Sequence, residues 1–230
     1  NGLAPLTTSY KGKDVIMGVI DTGIDITHPD FKDSLGNTRI LWVWDHTLAT
    51  AGNTPNPYNY GQEFSASDIN AGLASATDDI GAHGTHVTGI AASSGGTDTI
   101  FTGVAPKADI ISVKLNFNLA DNAWLSSIAD AVNYIFHKAD SLNKPCVINI
   151  SAGTYLGSHD ARDLQAQTID NLITAKNGRT VVAAAGNAGN IAHHLLHQPT
   201  GNDTLFTWFV NNSSNSIYIE LWADTADLRN

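Results

Sequence analysis

Short apolar runs recur at residues 15–20, 110–115, 146–150 and 180–185, each the length of a buried strand and too short for an ordinary helix. Between the second and third, Trp124, Ile128, Val132 and Ile135 follow one another at spacings of four, four and three, which draws a single helical face. Asp121 or Asn122 precedes that face as a cap. A further helix is expected to follow Asp163 and run toward Asn177 and Gly178, two residue types that stop helices by turning left-handed. Strands alternating with helices predict an α/β fold, doubly wound around a mostly parallel sheet. Both faces of such a sheet are covered, and its functional loops lie at the carboxyl ends of the strands.

Two stretches break that rhythm. Residues 38–76 open on the strand-like Arg39-Ile40-Leu41-Trp42-Val43-Trp44, cross a run rich in Asn, Pro and Gly, and end in a short helical piece; they read as an insertion. From His197 onward the pattern becomes alternating and turn-rich, as in a β-rich module. The expected organisation is a core over 1–195 with the insertion at about 38–76, and the start of an inserted β-rich, truncated module over 196–230. That last piece is expected to be poorly ordered or to lean on a neighbour.

Composition narrows the function. Only 15% of residues are charged, against roughly 25% in an average domain, and Gly is abundant, as in a compact, loop-rich enzyme of extracellular type. The net charge is -10 and the 12 Lys and Arg are scattered, which excludes nucleic acid and an acidic membrane as partners, since either needs a clustered basic face. Cys146, the one cysteine, forms no internal disulfide and sits in the apolar run Cys146-Val147-Ile148, where packing is its role. No stretch approaches the about 20 apolar residues of a membrane span, and the first residues lack the pattern of a signal peptide. If the protein is secreted, its export signal is not in this sequence. Nothing in the composition sets the oligomeric state.

Three motifs carry candidate chemistry. Val19-Ile20-Asp21-Thr22-Gly23-Ile24-Asp25 puts an acid at the end of a buried strand; alone, it is equally an aspartate capping a loop. His83-Gly84-Thr85-His86-Val87-Thr88-Gly89 is more specific: a histidine opens a helix, the next residue is Gly, and Gly84 and Gly89 permit close packing on the sheet. A metal pair, His83 with His86, lacks a third ligand nearby, so His83 reads as chemical and His86 as structural. Val181-Val182-Ala183-Ala184-Ala185-Gly186-Asn187 is a buried strand ending in Gly-Asn, by itself compatible with a plain turn.

Taken together and in this order, the three motifs resemble the subtilase family of serine proteases. His28-Pro29-Asp30, Gly103-Val104-Ala105-Pro106 and Val147-Ile148-Asn149-Ile150-Ser151 with Gly153 extend the match over most of residues 1–195. The long segment between Asp21 and His83 and the β-rich piece after Asn187 are more specifically similar to the branch that includes the clostridial spore-germination proteases, whose inserted module resembles a jelly roll. The resemblance implies a subtilisin-like fold and a polypeptide substrate, outside the cell or in the envelope of a bacterium. Asp21 is then the acid that orients His83, His83 the general base, and Asn187 the oxyanion donor. Ser151, Ala152 and Gly153 become the edge on which substrate lies as an added strand. Ala184, Ala185 and Gly186 line the pocket for the residue before the cut, with room for a large apolar group, and Asp121 to Ala123 form a loosely matched opposite rim.

No cofactor and no metal are expected. Asp30 matches a calcium ligand of the family, but the loop over 93–102 lacks the asparagines that complete such a site, so calcium stays a minor alternative. His193, His194 and His197 read as solvated or packing residues at the module junction. The family's Gly-Thr-Ser-x-Ala segment is missing, so the expected nucleophilic serine lies beyond Asn230 and this chain alone is expected to be inactive. The alternatives are a pseudoprotease whose cleft only binds, and an unrelated ligand-binding domain; the latter would need a glycine-rich phosphate loop after the first strand, which is not there.

Overall fold

The computed structural model describes residues 10–78 and 80–191 and, after those, 194–197 and isolated positions between 204 and 222. Six strands form one sheet: β1 (Ile16–Asp21), β2 (Ile40–Asp45), β3 (Gln62–Ser65), β4 (Asp109–Lys114), β5 (Cys146–Ile150) and β6 (Arg179–Ala183). Their spatial order is β3-β2-β4-β1-β5-β6. Every pairing is parallel except β2 with β3, so the expected mostly parallel α/β sheet is what forms. The helices are α1 (Ala66–Asn70), α2 (His83–Ala92), α3 (Ser126–Ser141) and α4 (Leu164–Thr174).

The sheet separates two apolar clusters. On one face α3 buries Ile128, Val132, Ile135 and Phe136 against Ile20, Ile111, Val113 and Ile148, with α4 packed at its flank. On the other, Ile24, Phe31, Ile40, Val43 and Ile110 pack with Ala92 at the end of α2. Neighbours in a strand point to opposite faces, so the complete burial of both Ile110 and Ile111 shows β4 covered on both sides. Gly18 lets α3 reach β1: a Cβ there would stand 2.8 Å from Ile135 Cγ2 and 2.9 Å from Ile148 Cγ1.

The helix ends differ in how far the sequence anticipates them. Asp163 caps α4 as expected, its Oδ1 accepting from Ala166 N at 2.8 Å, and Gly178 at φ +85° turns the chain into β6. For α3 the expected cap is replaced. A 3-10 segment, Ala120–Leu125, leads directly into the helix, and Leu125 at the junction makes no side-chain cap bond. The carbonyls of Ala123 and Trp124 take the first donors instead, including the Ser126 and Ser127 hydroxyls at 2.7 Å. The side chains of Asp121 and Asn122 lie outside the described residues.

The segment 38–76 contributes β2 to the sheet interior and β3 to its edge, and the loop between them packs Tyr58 and Tyr60 against Trp44 of β2. Most of the stretch 196–230 lies outside the described residues, as does His193. Among the described residues no helix is long and apolar enough to cross a membrane.

Candidate active site

β1, β5 and β6 are adjacent and parallel, so their carboxyl ends lie along one edge of the sheet. Asp21 ends β1, Ser151 follows β5, and Ala184 to Asn187 follow β6. The register keeps the last two neighbours, with Ile150 opposite Ala183 and Ala184 N donating to Ile150 O at 3.0 Å. Three of the sequence motifs thus reach one edge through the topology alone.

Asp21 and His83 make direct contact. His83 Nδ1 lies 2.7 Å from Asp21 Oδ1, with the Asp21 side chain 2% exposed and the His83 side chain 52% exposed. An ionised carboxylate only accepts hydrogen bonds, so Nδ1 carries the proton and Nε2 keeps a free lone pair. The acid is shielded and the imidazole is open, as a base that must reach a substrate requires. Thr22 N also donates to Asp21 Oδ1, at 2.7 Å, while Oδ2 is buried with no hydrogen-bond partner among the described residues.

The close approach of α2 to β1 depends on Gly84. A Cβ there would stand 2.1 Å from the Gly23 carbonyl oxygen and 3.1 Å from Asp21 Cβ. Gly89, also expected to serve packing, has nothing within 4 Å of a built Cβ and faces open space instead. Ala82, in the N-cap position of α2, makes no side-chain cap bond. Residues from outside the helix fill that role: Thr22 Oγ1 accepts from Gly84 N at 2.9 Å, and Asp78 Oδ2 accepts from Thr85 N at 2.7 Å. Sequence reading missed Thr22, Asp78 and Thr85 as partners.

Asn187 is exposed, and its backbone is held by a residue the sequence did not single out. Tyr155 Oη accepts from Asn187 N at 2.6 Å and from Ala188 N at 2.9 Å. The Tyr155 ring lies directly over Gly186, where a Cβ would come within 2.5 Å of Oη and 2.9 Å of Cε1. Part of the space expected to be open beside Ala184, Ala185 and Gly186 is therefore filled by an aromatic ring. Ser151 and Ala152 are half-buried and Gly153 is exposed; Asn149 Nδ2 donates to Ser151 Oγ at 2.9 Å.

The other candidates are engaged elsewhere. Asp30 is buried and accepts from Ser93 Oγ at 2.9 Å and Thr97 N at 2.7 Å. Burial works to raise its carboxyl, but these bonds, aided by nearby His28, outweigh it and hold the group below the ordinary aspartate range. His86 is exposed and lines an open groove with Ile90, Phe101 and Val104 on the outer side of α2. His194 stacks near His159 with ring centroids 5.3 Å apart, and His197 is exposed. Among the described residues no three His, Cys, Asp or Glu side chains converge as metal ligands would. Cys146 is buried, and burial pushes its thiol up to about 12.

Comparison with known proteins agrees with this geometry. A model of the subtilase family matches residues 12–219. The chain is 31% identical to a subtilisin of Bacillus sp. (strain TA39) over 186 residues, which is 80% of this chain and 36% of that protein. It is 30% identical over 180 residues to the major intracellular serine protease of Bacillus subtilis, covering 78% of this chain and 45% of the relative. Among solved structures it is similar to the CspB protease of Clostridium perfringens, with a TM-score of 0.67 and 33% identity over 79% of this chain and 37% of that one. The chain therefore spans less than half the length of these three proteins. With Asp21 and His83 in contact at one end of a doubly wound sheet and a family match over nearly the whole length, the chain belongs to the subtilase family.

Proposed function

We propose that Asp21, His83 and Asn187 serve a serine endopeptidase whose nucleophilic serine lies beyond Asn230. The observation that carries this reading is the 2.7 Å contact between a buried Asp21 carboxylate and Nδ1 of an open His83. It leaves Nε2 as a base with no hydrogen-bond partner among the described residues. In the first half-reaction the serine Oγ attacks the peptide carbonyl carbon while its proton passes to His83 Nε2. Charge builds on the carbonyl oxygen, where the Asn187 side-chain amide donates a hydrogen bond. Collapse expels the amine, which takes the proton from Nε2 and leaves an acyl-serine ester. Water then attacks that ester, gives its proton to Nε2, and releases the acid as the proton returns to the serine.

Throughout, Asp21 keeps Nδ1–H oriented and stabilises the imidazolium. The substrate lies as an extended strand along Ser151, Ala152 and Gly153, with the residue before the cut entering beside Ala184, Ala185 and Gly186. Tyr155 over Gly186 shortens that pocket, so small and medium side chains fit there better than the large apolar group first expected.

The test is to treat the longer polypeptide with a fluorophosphonate and locate the adduct by peptide mass spectrometry. A serine adduct beyond Asn230 that disappears in His83→Ala supports the reading. Well-folded protein that forms no adduct would make this a binding scaffold, a pseudoprotease.

A further inference from the structure

Each oxygen of the Asp78 carboxylate serves a different half of the Asp-His pair. Oδ1 accepts from Thr22 Oγ1 at 2.8 Å, and Thr22 is the residue after Asp21. Oδ2 accepts from Thr85 N at 2.7 Å and from Thr85 Oγ1 at 2.6 Å, two residues after His83. The two halves are also joined to each other, through Gly84 N to Thr22 Oγ1 at 2.9 Å and Asp25 N to Thr85 Oγ1 at 2.8 Å. We propose that Asp78 is a positioning residue that clamps the Asp21 turn to the start of α2 and so fixes His83 against Asp21. It touches neither the reacting atoms nor the substrate strand.

Helix α2 lacks a side-chain cap of its own, so without Asp78 the Thr85 N–H is an unmade donor at a helix start. The carboxylate also meets the positive end of that helix, where a negative charge is favourable. Ala at this position removes both acceptor oxygens, so both halves of the clamp open, whereas an amide can keep its oxygen on Thr85 N and turn its NH2 to the remaining lone pair of the Thr22 hydroxyl. Opening either half frees the imidazole to move relative to Asp21, and a displacement of about 1 Å is enough to cost roughly 100-fold in rate.

This inference rests on the protease reading for its rate effect but not for its structural one, and the experiment separates the two. In the longer polypeptide with 15N-labelled histidine, the His83 Nδ1–H proton held by Asp21 gives a low-field resonance. Asp78→Ala is expected to broaden or remove it. The same variant should lower fluorophosphonate labelling and kcat roughly 10- to 100-fold while leaving KM unchanged. To separate the clamp from general misfolding of Asp78→Ala, Thr85→Val and Thr85→Ser are run beside it. Both keep the side chain's size close to that of Thr, but only Ser retains the hydroxyl, so Ser should restore what Val loses. If Asp78→Ala retains the resonance and labels within about twofold of the parent, the positioning role is wrong while the protease reading stands. If the parent shows the resonance but forms no adduct, the protease reading fails, and the resonance in Asp78→Ala still decides for or against the clamp.

Discussion

The half of the sheet that carries Asp21 and the half that carries Asn187 are built differently. Around β2, β4 and β1 both faces are covered, and Asp21 sits under α2 with its turn and the helix start tied by hydrogen bonds from Thr22, Asp78 and Thr85. Around β5 and β6, among the described residues, the face toward α3 is covered and the other is not. Val147 and Val182, which point the other way, are 37% and 51% exposed. Purely parallel strands are normally buried on both faces. On the proposed reading the acid-base half is tied together by those bonds, with Asp21 Oδ2 left buried and without a hydrogen-bond partner among the described residues, whereas the oxyanion half rests, among the same residues, on one packed face and on the hydroxyl of Tyr155. His83, the proposed general base, thus meets its partner before any substrate arrives.

The change that breaks this contrast most strongly is Gly84→Ala. Its methyl would meet the Gly23 carbonyl oxygen at 2.1 Å, and that oxygen belongs to backbone that cannot rotate away. Helix α2 must lift from β1, at a cost on the order of 3 kcal/mol. The expected outcome is an earlier urea transition together with loss of fluorophosphonate labelling. Gly89→Ala, inside the same helix with open space around it, should leave labelling intact and move the urea transition slightly later, by about 0.5–1 kcal/mol, and serves as the control.

The well-covered half also contains a weakness that acid exposes. His46 follows β2 and is buried against Trp44 and Tyr60, with ring centroids 4.1 Å and 4.9 Å away and no hydrogen-bond partner for either ring nitrogen among the described residues. Burial lowers its pKa from 6.5 to about 3. Between those values the unfolded chain binds a proton that the folded chain refuses. Stability is thus full above pH 6.5 and falls as the pH drops toward 3, by a few kcal/mol in order of magnitude. Urea midpoints measured at pH 7 and pH 4 should diverge in the parent and converge in His46→Phe, which fills the same aromatic cluster without a titrating group. Equal pH dependence in both proteins would remove His46 as the cause.

The same asymmetry explains what could be read from the sequence. The strands were legible because 15–20, 110–115, 146–150 and 180–185 are apolar on both faces, a pattern that survives even where one face is left bare, as at Val182. The places of Asp21, His83 and Asn187 at or just beyond strand and helix ends were legible because each lies within a distinctive run. Asp78 was not, since its partners are Thr22, 56 residues away, and Thr85, and only the fold brings all three together. One local clue existed: Gly81-Ala82 before His83 offers no capping side chain, so the helix start had to be served from elsewhere. Tyr155 gave no such clue, because a tyrosine in a polar loop looks the same whether it points to solvent or covers Gly186. The cap of α3 misled for a related reason, since a 3-10 lead-in satisfies the first donors with backbone carbonyls and leaves no trace in residue type.

The mildest test sharpens the other side of the comparison. If the oxyanion half depends on Tyr155, then Tyr155→Phe should act on Asn187 and leave the Asp-His pair alone. The substitution keeps the ring over Gly186 and removes only the oxygen that accepts from Asn187 N and Ala188 N. Both donors are near the surface and gain water in exchange, so the cost is about 1 kcal/mol, or roughly fivefold in kcat/KM. On the proposed reading Asn187 acts on charge that develops in the transition state, so the loss should fall on kcat more than on KM. The His83 Nδ1–H resonance should stay as in the parent, because no bond on that side has changed. A Tyr155→Phe protein that alters the resonance would show the two halves to be coupled through the sheet, and one that alters neither rate nor resonance would leave Asn187 held by its own turn.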